Sequence, residues 1–87
     1  MHAIVLQVTL NDVEAATKAL HEQVVPRVSG SPGFVAGYWI NLSGNRGTSV
    51  SVFESEDAAQ ALAGQIQPPG DFVSFDSIDV GEVVANA

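Results

Sequence analysis

The chain has no cysteine, which removes disulfides, thiolate metal sites and cysteine nucleophiles together and fits a reducing cytosol. Basic residues are almost as scarce. Lys18, Arg27 and Arg46 stand against ten Asp and Glu, for a formal charge of -7. Three scattered cations form no stripe for phosphates, so nucleic acid is excluded as a partner, and the same charge disfavours anionic membrane surfaces. No apolar run approaches the roughly 20 residues of a membrane span. Met1 leads straight into a strand-like alternation with no basic and apolar leader regions, so no secretory signal is expected and a cytoplasmic location is. Histidine is limited to His2 and His21. No imidazole and carboxylate recur at metal-ligand spacing, so no metal site is expected.

What is present is a regular alternation of patterns. Residues 2–10 alternate, with Ile4, Leu6, Val8 and Leu10 on one parity and Ala3, Val5, Gln7 and Thr9 on the other, as in a strand. Asn11 is placed to cap a helix, with Glu14 three residues on and Val13, Ala16, Leu20 and Val24 at helical spacing. Pro26 falls inside this pattern and removes the bond to the Glu22 carbonyl, which predicts either a kink with one more turn or a stop at Val25. Ser29-Gly30-Ser31-Pro32-Gly33 ends the helix. Residues 34–42 and 48–54 read as two strands joined by a hairpin loop at 43–47, where Gly and Asn tolerate positive φ. Ser55 caps a second helix over 55–66, stopped by Gln67-Pro68-Pro69-Gly70, and residues 72–80 supply a fourth strand before a short tail.

The order β-α-β-β-α-β occupies residues 1–87 as one α+β domain, with a four-stranded antiparallel sheet. Right-handed crossovers put both helices on one face. A chain this short needs outside help to bury enough surface, and without disulfides that help is a partner chain. If Ile4, Leu6, Val8, Val50 and Val52 meet the helices, the bare face presents Val5, Gln7, Thr9, Ser49, Ser51 and Phe53, joined by Val73 and Phe75. A patch of this kind is an interface or a ligand site. Its polar members need partners across an interface or from a ligand.

Pro26 within the first helix, the Ser31-Pro32-Gly33-Phe34 entry to the second strand, Tyr38-Trp39 and the junction Val52-Phe53-Glu54-Ser55-Glu56-Asp57-Ala58 resemble antibiotic biosynthesis monooxygenase-like domains. These have the ferredoxin-like fold and belong to the dimeric α/β-barrel superfamily. The resemblance implies a homodimer with sheets packed face to face. It also implies either a cofactor-independent oxygenase acting on aromatic quinols, a heme-degrading enzyme or a domain without catalysis, since fold alone does not choose. Heme-degrading members hold iron with a histidine on the second helix and use an asparagine on the first strand. Neither residue type occurs in those segments here, which sets heme degradation aside.

Tyr38, Trp39 and Asn41 are residue types with which quinol oxygenases hold an aromatic substrate. Parity puts Trp39 with Val35, Gly37 and Asn41 toward a cavity or partner, and Tyr38 with Phe34, Ala36 and Ile40 toward the helices. Simple packing would also account for both aromatics. The candidate ligand-pocket residues are therefore Gln7, Trp39, Asn41, Ser51, Phe53 and Phe75, with no catalytic residue assigned. His21 has no second polar group aimed at the same point and reads as a surface residue. Asp71, Asp76, Asp79 and Glu82 read as solubilising charges on an edge. The resemblance favours a small-molecule oxygenase of the cofactor-independent kind, which requires a base converging on an enclosed pocket; the alternative is a non-catalytic dimeric ligand-binding or scaffold module, which requires none.

Overall fold

The computed structural model describes residues 1–87. In chain order the elements are β1 (His2–Leu10), α1 (Val13–Ala19), a π-helical turn (Leu20–Val24), α2 (Val25–Ser29), β2 (Phe34–Leu42), β3 (Arg46–Phe53), α3 (Glu56–Ala63) and β4 (Val73–Glu82). The four strands form one antiparallel sheet in the order β2-β3-β1-β4, with the helices on one face. This is the ferredoxin-like arrangement. No helix is long and apolar enough to cross a membrane.

The first helical stretch runs from Val13 to Ser29 without a break in helical backbone, so Pro26 does not stop it. The turn before the proline widens: the Val25 N–H donates to the Leu20 carbonyl, five residues back instead of four. A proline in an α-helix lacks a donor and drives its ring against the carbonyl four residues earlier, and a π-turn relieves that conflict by inserting a residue. At the start of α1, Asp12 rather than Asn11 is the cap, its carboxylate accepting from the Ala15 N–H at 3.1 Å. Asn11 serves the tertiary structure instead, donating from its side-chain amide to the Asp71 carbonyl at 2.9 Å and to the Ser74 hydroxyl at 3.2 Å. Ser55 caps α3 as its position predicts, accepting from the Ala58 N–H. The hairpin between β2 and β3 turns through Gly44 and Asn45, both at positive φ (75° and 56°), the hand that matches sheet twist.

Two strand orientations differ from the parity reading. Strand β3 pairs with β1 so that Ile4 lies opposite Ser51, Leu6 opposite Ser49 and His2 opposite Phe53. Residues directly opposite share a face, so Ser49, Ser51 and Phe53 point to the helices and Val50 and Val52 to the bare face. The reason is Phe53. It is fully buried against Phe34, with ring centroids 5.9 Å apart in an edge-to-face contact. Register slips flip every side chain together, and burying one phenylalanine completely outweighs the extra coverage of two valines that stay half-buried anyway.

In β2 and β4 the parity is broken by irregularities. A register shift between Phe34 and Ala36 puts Phe34, Gly37, Trp39 and Asn41 on the helix side and leaves Tyr38 on the bare side, 64% exposed. A second shift, in the pairing of Gln7 and Val8 with β4, lets Val73 and Phe75 share the helix side with Ile78 and Val80. The core on that side is Ile4, Val28, Phe53, Ala59 and Leu62.

Candidate functional site

The inward residues of β3 are small: Gly47, Ser49 and Ser51, all buried, precede the bulky Phe53. Opposite them on β1 stand Val8, Leu6 and Ile4. The sheet floor is therefore filled at the Phe53 end and hollow toward the β2–β3 hairpin. Over the hollow, the widened π-turn and its flanks contribute Leu20, Gln23, Val24 and Arg27. The result is a cavity of about 330 Å³ between sheet and helices, partly open to solvent. That is the low end of the range for small-molecule sites.

Trp39 forms one wall. Its ring lies over Gly37, where an added Cβ would come within 2.9 Å of the indole, so glycine is what allows the indole to fold flat along its own strand. Phe75 and Val73 form the wall on the β4 side, and the Pro68-Pro69 turn after α3 completes the rim. Of the six residues singled out in the sequence, Trp39, Asn41, Ser51 and Phe75 line this cavity. Gln7 points to the bare face and Phe53 belongs to the core, both outside the lining. Sequence reasoning put Ser49 on the bare face instead of in this lining, and missed Gly47 and Arg27. The Gly-x-Ser-x-Ser spacing was the signal, since three small residues on one strand face cannot fill the space beneath a helix.

Chemically the lining is lopsided. Fourteen of its 25 residues are hydrophobic, and it contains no Asp, Glu, His, Lys or Tyr. Arg27 is its one ionised group. The two floor hydroxyls have no partner among the sheet's side-chain hydrogen bonds, which run from Thr9 to Asp76 and from Thr48 to the Leu6 carbonyl. Among buried polar side-chain atoms only Nδ1 of His2 lacks a partner, so the Ser49 and Ser51 hydroxyls are open to the cavity and available to a molecule in it. The histidines are elsewhere. His21 is exposed on the π-turn, and Nε2 of His2 lies 3.3 Å from a Glu56 carboxylate oxygen at the far end of β1. No three His, Asp or Glu side chains converge in a group that could hold a metal ion.

The same fold occurs in the crystal structure of a heme-degrading protein from Mycobacterium tuberculosis, determined heme-free with cleaved protein. The two chains superpose with a TM-score of 0.53 and are 24% identical, over 97% of this chain and 98% of the other. A likeness of that degree is one of fold. No family model matches the chain, and no curated protein sequence does.

Proposed function

We propose that this domain is a homodimeric binding module for a small aromatic molecule, held between sheet and helices with Trp39 and Phe75 against its ring and Ser49 and Ser51 beneath it. The observation that carries the reading is the lining: a mostly apolar cavity with free floor hydroxyls and no group able to take a proton. A cofactor-independent oxygenase must deprotonate its substrate, and a general base has to reach the proton it removes. Trp39 and Asn41 at the wall favour the oxygenase as second reading, in keeping with the sequence resemblance to antibiotic biosynthesis monooxygenase-like domains. The missing base places binding ahead of it. Heme does not suit the residues present, because axial ligands are His, Cys, Met or Tyr and the lining offers none. The lack of cysteine accords with a cytosolic setting.

The test is an anaerobic titration with 1,4-dihydroxynaphthalene, read through the fluorescence of Trp39, the sole tryptophan. A saturable quench is expected, and on admitting air the protein should leave the rate of oxygen uptake at that of buffer. Accelerated uptake would transfer the assignment to the oxygenase, and an unchanged fluorescence would overturn ligand binding.

Pairing rests on the bare face. Val35, Tyr38, Ile40 and Leu42 of β2 are each 38–64% exposed there, next to half-buried Val5, Val50 and Val52. A contiguous apolar surface of this kind marks an association site. Sedimentation at micromolar concentration is expected to give twice the 9.1 kDa chain mass. A stable folded monomer would rule the dimer out.

A further inference from the structure

From the single charge at the mouth of the cavity, we infer that the ligand is an amphipathic anion: an apolar ring system bearing one carboxylate that pairs with Arg27. The inference rests on the cavity being a ligand site and goes further by fixing the ligand's charge and polarity. Ten carboxylates are distributed over this chain and none lines the cavity, while one of only three cations does.

Arg27 is also unspent. The chain's one ion pair is His2–Glu56, so no carboxylate neutralises the guanidinium. It makes a single side-chain hydrogen bond, from one terminal nitrogen to the Gln65 carbonyl at 3.3 Å. That bond tethers the side chain across the gap between α2 and the turn after α3. A guanidinium carries five N–H donors in a fixed fork, so the remaining donors can take both oxygens of a carboxylate. The polarity of the lining agrees. Its buried depth is formed by Ile4 and the two serines of the sheet with Val28 and Leu62 of the helices, whereas Gln23, Arg27 and Gln67 are exposed at the rim. A ligand entering ring first leaves its charged end beside Arg27.

The opposing effect is the net charge of -7, which repels anions at a distance. At physiological salt the screening length is about 8 Å, so a contact pair at the mouth outweighs dispersed surface carboxylates. A merely structural Arg27, bracing the turn after α3 through Gln65, would give no preference between charged and neutral ligands.

The discriminating experiment uses 2-naphthoate and its neutral counterpart 2-naphthalenemethanol, each titrated against the full chain by Trp39 fluorescence. Naphthoate is expected to bind about tenfold more tightly, the usual magnitude for a charge-assisted hydrogen-bonded pair. In Arg27→Gln that ratio should fall to about one, and Arg27→Lys should restore part of the preference. Equal affinities in the parent protein, with the alcohol binding, would overturn the anion inference and leave the cavity reading standing. Failure of both ligands to bind would overturn both. Parallel loss of both ligands in an Arg27→Gln protein that melts like the parent would assign Arg27 a bracing role only.

Discussion

Phe53→Ala is expected to cost about 3–5 kcal/mol of folding stability, the range for removing a large buried aromatic. Three effects add at this position. The ring is fully excluded from solvent, so its whole transfer energy is lost. Its edge-to-face partner Phe34 loses a contact worth about 0.5–1.5 kcal/mol. The void also opens beneath α3, where Ala59 and Leu62 complete the core, and their short side chains cannot collapse far enough to fill it. Small domains hold about 5–15 kcal/mol in all, so the variant should unfold near or below physiological temperature. Urea denaturation at fixed protein concentration measures it, with concentration held constant because a dimer's stability depends on it. Phe53→Leu, which keeps most of the apolar volume, should lose far less. A loss under about 1 kcal/mol for Phe53→Ala would contradict the placement of this residue at the centre of the core.

The same residue explains much of what the sequence disclosed and what it concealed. The order of elements was legible because each is bounded by punctuation: Ser55 before α3, Gly44 and Asn45 in the hairpin, Pro68 and Pro69 after the helix. The faces of β1 were legible because four of its five large apolar residues, Ile4, Leu6, Val8 and Leu10, fall on one parity. In β3 both parities carry apolar residues, and two valines outvoted one phenylalanine in a simple count, although burial favours the larger ring. In β2 and β4 the error has another origin. Alternation assumes that no residue is inserted, whereas each strand carries a register shift. The apolar positions Val73, Phe75, Ile78 and Val80 show it afterwards: their spacing of two, three and two is that of a strand with one extra residue, the unpaired Asp76. Pro26 was legible as a conflict but not in its resolution. Whether a helix stops or widens depends on what the continuing turn can cover, here the cavity lined by Arg27 and Val28.

Filling the cavity from its floor should separate binding from folding more sharply than any other change. Ser51 is 6% exposed, stands opposite Ile4 and presents its hydroxyl to the hollow. Ser51→Leu replaces a hydroxyl that has no partner in the sheet and opens to the cavity with an isobutyl group directed into space that already exists. Overpacking normally penalises a larger core residue, because neighbours must move to admit it. Here the volume is available, and the added apolar burial should raise stability by about 1 kcal/mol. The leucine then occupies the place assigned to the ligand's ring, so the Trp39 quench by 2-naphthalenemethanol should weaken by about a hundredfold or more, the cost of roughly 3 kcal/mol for displacing a well-packed ring. Gain of stability with loss of binding cannot arise from misfolding, which would remove both. If Ser51→Leu binds the probe as the parent does, the ligand sits elsewhere, and the bare face of the sheet, with Tyr38 exposed on its edge strand, becomes the surface to examine.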